Sequence, residues 1–174
     1  MEILHQLCTL YYDSSDACAD FTQVEADELP SAYQSLLAHH HHMTVTVEEF
    51  HHCRLDVQVL KKNITRRFYS RKILLAREAD GKVVQFGIMR IALDRLSDEV
   101  RTEVESEAVP LGRVLIAHNV LRHVQCVSLL RVMPRRSLQE LLNMGDEEVT
   151  YGRTARIHVD GEPAVQLLEI VTPV

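Results

Sequence analysis

Two dipeptides, Asp80-Gly81 and Asp160-Gly161, constrain this chain more than any other feature. Each stands between two runs with strand character: Arg67–Leu75 and Val83–Leu93 around the first, Thr154–Val159 and Ala164–Thr172 around the second. An Asp-Gly pair takes up the tight turn of a hairpin, so the flanking strands must run antiparallel. Leu55, Val57 and Val59 alternate with Asp56 and Gln58, the period-two pattern of a half-buried strand, and Leu121–Met133 reads as a long one. About six strands result, in long hairpins and without βαβ alternation.

Helices are expected between them. Ser31-x-x-Gln34 after Pro30 and Ser137-x-x-Glu140 have the form of capping boxes, predicting helices over about 31–39 and over Leu138, Leu141 and Leu142, the second stopping at Gly145. Leu96, Val100 and Val104 recur every fourth residue, as on a surface helix, and Pro110 starts a short helix to about Ala117. Residues 1–28, acidic from Asp13 to Glu28, are the least patterned and read as an N-terminal arm or a short helix. No linker or repeat divides the chain, so the expectation is one α+β domain over 1–174, with helices packed on a single antiparallel sheet.

The 174 residues suffice for a sizeable core, and 46 % apolar with 25 % charged residues is a globular composition. The net charge of −6 opposes general nucleic-acid binding. The N-terminus lacks the basic start of a signal peptide and no apolar run approaches a membrane span, so neither membrane nor export is expected. Four cysteines without Cys-x-x-Cys spacing then fit reduced thiols in a cytoplasmic protein.

Several residues carry chemistry. Arg67 and Arg71 share a strand face if the segment is regular, and two guanidinium forks suit carboxylates; solvated arginines on an exposed edge are the alternative. Glu169 is the only charge in the apolar segment Ala164–Val174, either buried with a partner at a pocket wall or facing outward. Pro110-Leu111-Gly112-Arg113 is a helix start whose N–H groups can face an anion, or a plain helix start. His39–His42 and His51-His52 lack the ordered spacing of a metal motif, so no metal is assigned. No nucleophile elbow, phosphate loop or dinucleotide fingerprint is present.

Taken together, these segments resemble the chorismate lyase family from about Leu36 to Pro173. The likeness is carried by Met43-Thr44, by Arg67 and Arg71-Lys72-Ile73-Leu74-Leu75, and by Pro110-Leu111-Gly112-Arg113. It continues in Gly152-Arg153-Thr154-Ala155-Arg156 with Gly161-Glu162-Pro163, and in Glu169 four residues before Pro173. Ile91–Leu96 looks most like the actinobacterial branch, which forms 4-hydroxybenzoate. The resemblance implies a chorismate lyase-like fold and elimination of pyruvate from chorismate in a buried pocket, with no cofactor. In that mechanism Arg71 holds the ring carboxylate, the Leu111 backbone donates to the ligand, and Glu169 accepts from the ring hydroxyl and assists proton removal. Met43 and Arg67 complete the ligand set, and Arg153 or Arg156 holds the pyruvyl carboxylate. One residue is inserted between Pro163 and Glu169 relative to the enterobacterial pattern. A β-bulge absorbs it, whereas a shifted register turns Glu169 to the other face. The same fold is similar to the effector-sensing domains of bacterial repressors, so the alternatives are a non-catalytic binder of small aromatic or cyclohexadienyl carboxylates and a lyase on a related ring acid. A monomer or a homodimer fits either.

Overall fold

The computed structural model describes residues 1–120, 122–146 and 148–174, with the backbone alone for Arg122. Leu121, expected to open the long strand, lies outside the described residues.

Both Asp-Gly turns form. Asp160 and Gly161 take φ of +51° and +83°, the left-handed pair that matches strand twist in a two-residue hairpin. At the other turn Gly81 has φ +71°, and the Asp80 carboxylate is held by Arg77 and by the Lys82 N–H. Among the described residues seven strands result: β1 (Ala19–Val24), β2 (Leu55–Ile64), β3 (Phe68–Arg77), β4 (Val83–Ala92), β5 (Arg122–Pro134), β6 (Thr150–Val159) and β7 (Glu162–Val171). They form one antiparallel sheet in the order β1-β5-β6-β7-β4-β3-β2. Two meanders, β2-β3-β4 and β5-β6-β7, are thus joined by β7 lying along β4. The strand not foreseen is β1. The segment read as an N-terminal arm or a short helix also supplies a strand, which pairs with β5 from Ala19↔Pro134 to Val24↔Leu129.

Among the described residues six α-helices cover the sheet: α1 (Glu2–Cys8), α2 (Ser31–Leu37), α3 (Met43–His51), α4 (Asp98–Ser106), α5 (Leu111–Ala117) and α6 (Arg136–Leu142). Leu36, Leu37, Val47, Val100, Val104, Val114 and Leu115 from α2 to α5 pack on one face, and Ile3, Leu4, Leu7, Leu138 and Leu142 from α1 and α6 on the other. Each such side chain contributes roughly 1.5–3 kcal/mol on burial. Neither expected capping box forms. Pro30 and Arg135 occupy the N-cap positions without a side-chain bond, and Ser97 instead caps α4 by accepting from the Val100 N–H at 3.3 Å. Helix α6 ends on Asn143, with φ +53°, two residues before the expected glycine. Among the described residues no helix is long and apolar enough to cross a membrane.

The register of β6 and β7 places the site. Ile157 opposes Val165 but His158 opposes Pro163, so Ala164 is the extra residue of a bulge. Past it, Arg153 stands directly opposite Glu169. Gly152 next to it lies so close to β7 that a Cβ would sit 2.6 Å from the Glu169 carbonyl oxygen. Gly152→Ala is therefore expected to lose about 1–3 kcal/mol of stability through forced strand displacement, read as a lower urea midpoint; an unchanged midpoint would contradict the close approach.

Candidate functional site

The sheet face under α2–α5 holds two fully buried arginines, Arg71 and Arg153, each 0 % exposed. They differ completely in their partners. Arg153 Nε donates to Glu169 Oε2 at 2.7 Å. Its Nη1 donates to the carbonyls of Leu37 (3.3 Å) and His39 (3.0 Å), and its Nη2 to that of His41 (3.3 Å). Arg153 therefore ties β6 and β7 to the segment between α2 and α3, and every nitrogen of its guanidinium is engaged.

The histidine run is part of this clamp. His39 Nε2 lies 2.7 Å from the Leu36 carbonyl, which assigns the ring proton to Nε2. Nδ1 is then free to accept from Arg153 Nη1 (3.3 Å) and from the His41 N–H (3.1 Å). Burial, and next the Arg153 charge, push the imidazole down to about 4, so it is neutral at pH 7. Among the described residues no group of three or more His, Cys, Asp or Glu is arranged to hold a metal ion.

Arg71, on β3, donates from Nε to Met89 Sδ at 3.4 Å, and both terminal nitrogens are buried without a hydrogen-bond partner. The Tyr69 ring centroid is 6.0 Å away. The Tyr69 hydroxyl is spent on Glu107 Oε1 (2.9 Å), which also receives Lys62 Nζ (2.8 Å). Burial pushes the Glu107 carboxyl up, but those two bonds and the nearby Arg71 charge outweigh it and hold the group below its ordinary range.

Between the arginines lies a cavity lined by Met43, Thr44, Gln85, Met89, Leu111, Arg153 and Glu169 among others. Met89 stands between it and the Arg71 guanidinium. The free volume is about 40 Å³, room for a few waters at roughly 10–15 Å³ each. Its roof is the start of α3 and of α5, fastened together by an Arg113–Glu48 ion pair. Gly112 permits their approach, since a Cβ there would meet His42 Cβ and Thr44 Oγ1 at 3.4 Å. Outside the roof a larger cleft of about 710 Å³ is lined by His40, His41, His42 and Glu49, so that His42 borders both spaces.

Of the residues singled out from the sequence, Met43, Leu111, Arg153 and Glu169 line the cavity and Arg71 adjoins it. Arg67 does not share the Arg71 face: it sits exposed in the turn before β3, where strand alternation has not begun. Arg156 is three residues from Arg153 and so faces the opposite side of the sheet. Sequence reading missed Gln85, which is buried at the cavity with Oε1 unpartnered. It also missed His39, whose role depends on Arg153.

No protein-family model matches the sequence, and no curated protein does. Solved structures match at the level of fold. The possible transcriptional regulator YydK of Bacillus subtilis aligns with TM-score 0.50 at 9 % identity, over 67 % of this chain and 58 % of that one. PhnF of Mycobacterium smegmatis aligns with TM-score 0.56 at 9 % identity, over 75 % and 63 %. The chain thus spans less than two thirds of either. The ligand-binding domain of a putative GntR-family regulator of Bordetella bronchiseptica aligns with TM-score 0.50 at 10 % identity, over 68 % and 85 %. The architecture is the α+β, open-sheet chorismate lyase-like fold.

Two outcomes follow from the arginines. Glu169→Ala strands a buried Arg153 and is expected to cost about 3–5 kcal/mol, whereas Arg71→Met removes an unpaired buried charge and is expected to leave the ligand-free protein as stable or more so; denaturant melts decide, and equal losses would contradict the distinction. Because the folded His39 resists protonation, the unfolded chain binds the extra proton as pH falls from about 6.5 to 4. The His39 contribution is thus fully present above 6.5 and lost toward 4. Ring titration by NMR with parallel melts checks this, and a His39 midpoint near 6.5 would refute it.

Proposed function

We propose that the protein binds a small ring monocarboxylate in the central cavity, as an effector or carrier site rather than as a catalyst. The observation that carries the reading is the buried Arg71 guanidinium, whose terminal nitrogens lack a partner. A buried guanidinium whose terminal N–H groups are unbonded is costly unless a ligand satisfies them, and its fork matches a carboxylate. Arg153 is paired with Glu169 and Glu107 with Lys62, and His39 is neutral, which leaves the Arg71 charge for a monoanion. Gln85 lies four residues from Met89 on the same face of β4, about 13 Å along the strand. It can bond a polar group at the ligand's far end. Entry requires Met89 and the His42–Thr44 roof to shift, opening the cavity toward the outer cleft. The Bordetella neighbour, titled a ligand-binding domain, supports binding over turnover.

The lyase reading, including the actinobacterial 4-hydroxybenzoate-forming branch, is favoured by one observation. Glu169 sits at the cavity wall with only Oε2 bonded, leaving Oε1 for a ring hydroxyl. Against it, chorismate brings two carboxylates, while Arg153 is already paired with Glu169 and the roof carbonyls and Arg67 and Arg156 lie elsewhere.

Calorimetry with 4-hydroxybenzoate, alongside chromatography of chorismate incubations, separates the two. The expected result is stoichiometric binding, weakened roughly 10- to 100-fold by Arg71→Gln, with no pyruvate released. Pyruvate and 4-hydroxybenzoate formed in equal amounts, and lost in Glu169→Gln, would establish the lyase instead; absence of binding to any ring acid would remove both readings.

A further inference from the structure

The opposite face of the sheet carries a second concentration of positive charge. Strand alternation puts Phe68, Arg90, Gln166 and Arg156 on the α1 side, and Arg90 Nη2 reaches Gln6 of α1 at 3.4 Å. With His158 they border a groove of about 290 Å³ that no carboxylate lines among the described residues. Arg90 is fixed there. Its Nη2 donates to Gln166 Oε1 at 2.6 Å and its guanidinium lies 5.1 Å from the Phe68 ring centroid, with Arg67 at 5.5 Å from the same ring. Arg156 is half-buried and has neither hydrogen bond nor ion pair among the described residues. His158 Nδ1 is buried and equally without a partner.

Two arginines, Arg90 and Arg156, gathered with His158 on one aromatic-walled groove, in a chain of net charge −6, have no carboxylate beside them in its lining among the described residues. Polar groups removed from water are ordinarily bonded, and a guanidinium fork fits the paired oxygens of a carboxylate or a phosphate. We propose that this groove is a second ligand site, independent of the central cavity. It takes a small oxyanion on Arg156 and His158, with Arg90 held behind them and Phe68 as an apolar wall.

The test is an amide-shift NMR titration of the full chain at low ionic strength, with inorganic phosphate in one arm and benzoate in the other. Saturable shifts at Arg90, Arg156, His158 and Gln166 are expected in at least one arm, which names the oxyanion class. Arg156→Gln should weaken that binding roughly tenfold or more, while Arg71→Gln leaves it unchanged. No saturable shift in either arm, or equal affinity in Arg156→Gln, would overturn the proposal. Should Arg156→Gln fail to fold, the unaltered protein decides: shifts confined to Met43, Leu111 and Glu169 would also overturn it.

Discussion

The buried Arg153–Glu169 pair is the constraint on which the rest of the site depends. It crosses from β6 to β7 where the two strands lie in direct register, and it sends the remaining donors of the guanidinium to three carbonyls between α2 and α3. A charge taken that far from water is tolerable only when every donor is satisfied. The clamp therefore fixes the roof segment at the same time as it neutralises the arginine. The Ala164 bulge belongs to this arrangement, because it sets the register that turns Glu169 inward beside Arg153.

Against that satisfied pair, Arg71 stands out. The two arginines are equally buried and lie on the same sheet face, yet every nitrogen of Arg153 has a partner while both terminal nitrogens of Arg71 have none. Functional sites are where local rules of polar satisfaction are broken, and this contrast is the ground on which we propose structural work for Arg153 and a ligand for Arg71. The fold comparisons, at 9–10 % identity, concern architecture alone.

Much of the sheet was legible from short-range chemistry. Asp80-Gly81 and Asp160-Gly161 announce their hairpins within two residues, and the alternation at Leu55–Val59 announces β2. Strand β1 was not legible because its partner, β5, is more than a hundred residues away and its own sequence is polar on the exposed side. Ser31 and Ser137 look like caps, but Pro30 and Arg135 take the cap positions one or two residues earlier. For the site, the sequence pointed to Glu169 as a charge in an apolar segment, and to Arg71 through its spacing from Arg67 and the family resemblance. It could not distinguish Arg67, in a turn, from Arg71, in a strand, since spacing is informative only inside a regular element. Nor could it show that the Arg153 donors are consumed by carbonyls near residue 40, a contact that exists only in the folded chain.

A crystal structure of the protein with 4-hydroxybenzoate tests the central claim most directly. The account predicts the ligand carboxylate on both terminal nitrogens of Arg71, the ring in the enlarged cavity beneath Met43 and Leu111, and the Arg153–Glu169 pair unbroken. A ligand bound through Arg153, or a cavity that stays closed while Arg71 pairs with Glu107, would contradict it.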